Sequence, residues 1–525
     1  MKPTLRALLL ATALATVSYS AAFAETVYNR GNSADPESLD PHKTSTVYEA
    51  DILRELFTGL MAQDAKANVI PGAAESYTVS DDKKVYTFKL RADGKWSDGS
   101  PVTSADFIFS WQRLLDPKTA AEYAYMLYPV VNGEDVNKGK KKPDELGIKA
   151  LDDHTLEITL NAPTPYFLEM LTHLSTYAVS KANVEKFGAD FVKPGNLVGN
   201  GAYTLAEFIP NDHIKLVKNP LFFEAGSVKI DTVNFYPTED RSTAVKRFEA
   251  GELDSNNDIP TEQLADLRAK FGDQVRIGPY LGTYYYVFKT DKEPWSNVKL
   301  RQAISMAIDR DVLAEKVWKN TMIPAYSFVP PGISGYETKT LDYAEKSQID
   351  REDDAKKILT ELGYGPDKPL KMEIHFNTSE NHKNTAVQIQ EQLKPLGIEV
   401  TLLNTDTKTH YGLLEDHGDF DVARAGWIAD YKDPDNFLEL CKTGTGNNYA
   451  IYSNKDFDDL INKAAAEPDP AERMKDLSNA EGIAMRDLCV MPLLYYSYHN
   501  LVSPKLKGFE DNINDVHPTR YISKE

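Results

Sequence analysis

The chain carries one run in which ion chemistry is forced by context, Phe420-Asp421-Val422-Ala423-Arg424-Ala425-Gly426-Trp427-Ile428-Ala429-Asp430-Tyr431. From Val422 to Ala429 the residues are mostly small and apolar, as in a buried strand, and the strand is expected to break at Gly426. Yet Arg424 lies inside the run and Asp430 ends it. A buried ion without a partner is strongly destabilising, so each charge must be paired, solvated or neutralised. Two arrangements satisfy this. Arg424 and Asp430 can pair with each other and merely hold the strand, or they can meet a ligand with a positive and a negative end. Gly426 permits close approach of a backbone, and Trp427 adds a flat apolar wall.

Other reactive chemistry is thin. The sequence has no Gly-x-Ser-x-Gly elbow, no His-Glu-x-x-His pair and no Gly-rich phosphate loop. His410 and His417 lack a third ligand and read as surface residues. The motifs therefore point to no catalytic residue, no metal and no cofactor. Tyrosine is plentiful, with Tyr280 and Tyr284-Tyr285-Tyr286 in one group and Tyr495, Tyr496 and Tyr498 in another. An apolar ring with one polar tip suits a cleft that holds varied side chains, and it equally suits sheet packing.

These groups need a scaffold, and its elements are legible. Val85 to Leu90 and His154 to Leu160 alternate with period two, as half-buried strands do. Thr103 and Asp106 suit the capping of a helix that runs to Leu115. Arg301 to Trp318 has helical apolar spacing throughout. Met372–Phe376, His382–Leu396 and Ile398–Leu403 read as strand, helix and strand, a crossover that implies a parallel pair. Alternation of this kind predicts an α/β architecture.

The first residues address the compartment. Lys2 and Arg6, the apolar stretch from Leu8 to Val17 and the Ala22-Phe23-Ala24 site form a secretory signal peptide, with cleavage expected after Ala24. About 500 residues then remain, enough for two or three domains. Loss of Lys2 and Arg6 takes the formal charge from −20 to −22, which argues against nucleic acid as a partner. Cys441 and Cys489 are the only cysteines, and an even count in an oxidising compartment predicts a disulfide.

Longer motifs match a family. Tyr86-Thr87-Phe88-Lys89-Leu90-Arg91 precedes Lys95-Trp96-Ser97-Asp98-Gly99-Ser100-Pro101-Val102-Thr103. Ser38-Leu39-Asp40-Pro41-His42-Lys43, Asn200-Gly201-Ala202-Tyr203-Thr204-Leu205 and Asp309-Arg310-Asp311 accompany the Phe420–Tyr431 run. Together they resemble the periplasmic oligopeptide-binding proteins of peptide ABC transporters, over essentially the whole mature chain. The resemblance implies two α/β lobes closing over a ligand cleft, with an extra domain. Lobe I would take residues 25–58, 183–281 and 498–525, the extra domain 59–182 and lobe II 282–497. It implies a monomer in the periplasm that is not an enzyme, binds a peptide and delivers it to the membrane permease subunits of an ABC importer. A murein peptide or a non-peptide solute is the alternative ligand, and a secreted hydrolase is the remaining alternative.

The same resemblance assigns roles. Asp430 would take the peptide's α-ammonium, and Arg424 would lie near its negative end. Gly426, Trp427 and Val47 would line the peptide backbone, held as an added strand. Tyr123, Tyr280, Tyr285 and Tyr496 match cleft tyrosines, and His382 a histidine that meets the carboxylate of longer peptides. Departures stand beside these matches. Gly282 and Ile428 replace a disulfide of the enteric members, and Ser45 replaces a glutamate that meets the peptide backbone. Thr407 replaces a pocket tryptophan, and Trp318 a lysine that serves very short peptides. Glu415 and Asp416 fall where the family has an arginine.

Overall fold

The structure, a computed structural model, describes residues 25–525 apart from Ser45. The expected leader, 1–24, lies outside the described residues. One sheet runs through both halves of the molecule. Its strands follow the order Ile398–Thr405, Leu370–Asn377, Val422–Ile428, Val275–Phe288, Met491–Val502, Ser255–Asn256, Val27–Asn32, Thr232–Pro237, His213–Lys218 and Tyr203–Ile209. A second sheet of four strands holds Ala74–Val79, Val85–Leu90, Thr155–Thr159 and Ile148–Asp152.

Two long strands connect the halves, Val275–Phe288 and Met491–Val502, paired antiparallel. Their register slips between Pro279 and Thr283, and again between Tyr284 and Tyr285. The first slip lies at a boundary between cores. Val275 and Ile277 pack on a small cluster with Phe248 and Leu267, whereas Leu281 to Phe288 enter a large core that extends to Leu494. A separate core joins Tyr28, Leu53, Phe107, Trp111, Tyr203 and Phe235. Residues expected in lobe I and in the extra domain thus share apolar packing. The result is two lobes with a cleft between them, crossed by two irregular strands.

Local expectations fare well where period and caps are strong. Helix Ser104–Leu115 starts at Thr103, whose backbone N–H donates to Asp106 Oδ2 at 2.8 Å in a capping box. Leu370–Asn377 and Ile398–Thr405 pair in parallel around helix Glu380–Leu393. The helix expected over Arg301–Trp318 is interrupted. Helix Val298–Ala307 stops, and Asp309 caps a new turn by accepting from the Val312 N–H at 3.0 Å. The break lets Arg310 reach inward. It is fully buried and donates five hydrogen bonds, four of them to backbone carbonyls. Such satisfaction is what burial of a guanidinium demands.

Candidate functional site

The Val422–Ile428 strand does not break at Gly426. Gly426 stands opposite Tyr284, Arg424 opposite Tyr286 and Ile428 opposite Gly282. The glycine serves a close approach instead. A Cβ there would sit 2.6 Å from the Tyr496 hydroxyl and 3.0 Å from Arg424 Nη2. Tyr496 and Arg424 close over the strand only because position 426 has no side chain.

Arg424 is 6% exposed and meets no carboxylate among the described residues. Its Nη1 donates to Asn377 Oδ1 at 3.2 Å and to the Tyr411 hydroxyl at 2.8 Å, and Nη2 donates to the Tyr496 hydroxyl at 3.0 Å. The guanidinium lies 4.9 Å from the centre of the Tyr284 ring, a cation–π distance. Neutral oxygens and a ring face therefore solvate the cation and leave its charge uncancelled. His382 joins this group, its Nδ1 3.3 Å from the Tyr284 hydroxyl. Burial, with Arg424 next, pushes His382 down to about 3, so the imidazole is neutral at physiological pH.

Asp430 follows the strand in a loop held by Asn436. Asn436 Oδ1 accepts from the Asp430 N–H at 3.1 Å and from Trp427 Nε1 at 2.9 Å. The carboxylate accepts from the Tyr125 hydroxyl at 2.6 Å, and no cation pairs with it among the described residues. The internal Arg424–Asp430 pair is absent. Burial raises Asp430 to about 6, against the opposing hydrogen bonds from Tyr125 and Asn436. A carboxylate in this state gains most from an incoming cation that also donates hydrogen bonds.

Asp430 and Tyr431 border two cavities. One, of ≈ 230 Å³, also meets Val47, Tyr123 and Tyr280. The other, of ≈ 460 Å³, meets Trp427, Tyr125 and Tyr166. Val47 opens helix Val47–Leu56 and is 59% exposed, facing the first cavity. Tyr123 packs against His173 with ring centres 4.5 Å apart and planes tilted by 34°. Tyr285 lines neither cavity. It is 1% exposed and packs edge-on against Phe328 in the lobe core. Alternation along the strand sends it to the face opposite Tyr284 and Tyr286. Ser45 and the Thr407 side chain lie outside the described residues.

Trp318 packs against Tyr284, with ring centres 5.5 Å apart, and its Nε1 donates to Thr385 Oγ1 at 3.1 Å. His410 is not a surface residue. It is fully buried, with Nε2 2.8 Å from the Arg424 carbonyl oxygen, because the Thr407–Glu415 helix packs onto the sheet. Cys441 and Cys489 form a disulfide with Cα atoms 6.0 Å apart. Among the described residues no group of three or more His, Cys, Asp or Glu side chains could hold a metal ion. Sequence reasoning missed Tyr125, Tyr411, Asn377 and Asn436. Tyr125 had a weak signal, two residues after Tyr123, and the others had none.

The two-lobed scaffold has known counterparts. Residues 68–449 match the bacterial extracellular solute-binding proteins, family 5 (middle region). The chain belongs to this family. The family is one of binding proteins. The periplasmic oligopeptide-binding protein OppA of Escherichia coli (strain K12) is 40% identical over 484 residues, 91% of this chain and 89% of that one. The periplasmic murein peptide-binding protein MppA of the same organism is 38% identical, over 93% of this chain and 92% of its own. Among solved structures, the unliganded open form of MppA covers 96% of this chain and 98% of its own at 37% identity, with a TM-score of 0.85. Haemophilus influenzae OppA in complex with RPPGFSPFR covers 96% and 99% at 37% identity, with a TM-score of 0.79. The family relatives above are named periplasmic, and no helix among the described residues is long and apolar enough to cross a membrane.

Proposed function

We propose that this chain captures oligopeptides in the periplasm and delivers them to an ABC importer. Its partners would be the peptide and the importer's membrane permease subunits, and ATP would be hydrolysed by the importer. The observation that carries the reading is Asp430, a half-buried carboxylate with no cation among the described residues, on the rim of two cavities in the cleft. A peptide α-ammonium supplies both charge and donors. Gly426, Trp427 and Val47 would flank the peptide as an added strand, whose main-chain bonding ignores side-chain identity. Roomy cavities with bridging water tolerate varied side chains. The lobe limits 25–58, 183–281 and 498–525, 59–182, and 282–497 belong to the same proposal, as does a monomeric state.

A second reading, a murein peptide as the ligand, is motivated by the 38% identity to MppA over 93% of this chain. Mass spectrometry of ligand released from freshly purified protein separates the two. Ordinary oligopeptides support the first reading, and a diaminopimelate-containing peptide supports the second. Incubation with peptides checks hydrolysis, which a binding protein leaves at zero.

Ligand length follows from the cations available to the peptide carboxylate. An extended peptide advances roughly 3.3 Å per residue, so each length needs its own partner. Trp318 offers no charge beside Tyr284, and Glu415 and Asp416 add negative charge, which leaves Arg424 as the cation and the neutral His382 as a hydrogen-bond partner only. Peptides of about three to five residues should therefore bind at least about tenfold more tightly than dipeptides, roughly 1.4 kcal/mol. Calorimetry on an alanine series checks this, and a dipeptide as tight as the tetrapeptide refutes it.

A further inference from the structure

Arg54 is an anomaly among the buried and half-buried arginines. Helix Val47–Leu56 carries it into the cavity that Asp430 borders. Its Nε is buried without a partner, and the guanidinium makes no hydrogen bond to any described residue. Its nearest carboxylate is Asp51, whose Oδ1 lies 4.0 Å away, beyond hydrogen-bond reach, while the other oxygen, Oδ2, holds Arg30 at 2.8 Å. Contrast Arg473, which binds Asp433 through two nitrogens at 2.8 and 2.7 Å. A guanidinium has five donors in a fork that matches a carboxylate, and at 22% side-chain exposure Arg54 keeps its fork accessible to a ligand, whereas Arg473 spends its two terminal nitrogens on Asp433.

Arg54 is also the one lysine or arginine among the residues lining that cavity. Around it stand donors suited to an anion: the Thr44 hydroxyl, buried and without a hydrogen-bond partner among the described residues, and the amides of Gln63 and Asn514. His173 adds no charge, because burial holds its imidazole down at about 3. At ≈ 230 Å³ the cavity far exceeds the roughly 10–15 Å³ that one water needs, so a side chain and bridging water both fit.

We propose that Arg54 makes this cavity a carboxylate subsite, filled by an acidic side chain on the peptide residue whose ammonium Asp430 holds. The proposal rests on the peptide reading above. Position selects the source of the carboxylate. Asp430 and Arg54 line one cavity, so a group that reaches Arg54 starts close to the ammonium. The terminal carboxylate of a tripeptide or longer chain lies farther along the strand.

Calorimetry with Glu-Ala-Ala-Ala, Gln-Ala-Ala-Ala and the C-terminal amide of the latter tests it. The native protein should prefer the glutamate peptide at least tenfold. Arg54→Gln should abolish that preference and leave the glutamine peptide within about twofold, whereas Arg54→Lys should retain a several-fold preference. The comparison in the native protein needs no variant to fold. Equal affinities for the glutamate and glutamine peptides there would overturn the subsite while leaving peptide binding intact. Loss, in Arg54→Gln, of a preference for the free over the amidated terminus would assign the carboxylate to the chain end and overturn the side-chain source. Failure of all three peptides to bind would overturn the peptide reading and this proposal together.

Discussion

Asp430→Asn is expected to weaken peptide binding by about 2 kcal/mol or more. The substitution keeps the shape and one acceptor oxygen but removes the charge that a desolvated ammonium requires. Tyr125 can still donate to the amide oxygen, and Asn436 still holds the loop through the residue 430 backbone N–H. The site should therefore keep its form, and the loss should report the ion pair. N-acetylated peptides should bind the native protein just as poorly. Equal calorimetric affinity for free and acetylated forms of one peptide would remove Asp430 from this role. The same carboxylate sets a pH dependence. In the free protein burial raises Asp430 to about 6, and a bound ammonium favours the ionised form and lowers it. Binding therefore releases a proton when the pH is below about 6. Affinity should be full above that value and fall as pH drops through it, becoming about tenfold weaker at pH 5 than at pH 7. An affinity unchanged over that interval in Asp430→Asn is the matching control.

Replacing Cys441 and Cys489 together by serine should destabilise the protein by about 4 kcal/mol at most, and by roughly 2 kcal/mol or more. The bridge spans a sequence separation of 48, and the upper figure is the unfolded-state loop entropy it removes. Both sulfurs lie in the large apolar core of lobe II. Cys441 ends the Glu439–Cys441 turn, which directly follows helix Asp435–Leu438. Cys489 precedes the Met491–Val502 strand that returns to lobe I. The bridge thus ties the segment bearing Asn436, the anchor of Asp430, to a crossing strand. Denaturant unfolding should show the loss in the lobe II transition, and peptide affinity at low denaturant should change little. Two free thiols in denatured, unreduced protein would remove the basis of the prediction.

Much of the scaffold is written in local pattern. Alternation placed the Val85–Leu90 strand, and Thr103 with Asp106 placed a helix start, because a cap and a two-residue period are decided by neighbours in the chain. Helical apolar spacing across Arg301–Trp318 concealed a break, since Asp309 as a cap competes with continuation only once Arg310 has carbonyls to bind. Gly426 looked like a strand breaker, yet its pairing with Tyr284 and the overhanging Tyr496 make it a site of close packing. His410 looked exposed, and the packing of its helix buried it.

From sequence alone came the family resemblance, the export expectation, the even cysteine count and the one run in which Arg424 and Asp430 stand in apolar company. Residue type and spacing suffice for those. Whether the two charges cancel is a different kind of question. It depends on where side chains tens to hundreds of residues apart arrive. Tyr125 reaches Asp430 across 305 positions, Tyr496 reaches Arg424 across 72, and Arg54 stays 4.0 Å from the Asp51 carboxylate that holds Arg30 at 2.8 Å. Only the folded chain decides which charges are spent on each other and which stay available to a ligand, because Coulomb and hydrogen-bond energies act over a few ångströms of space and are indifferent to distance along the sequence.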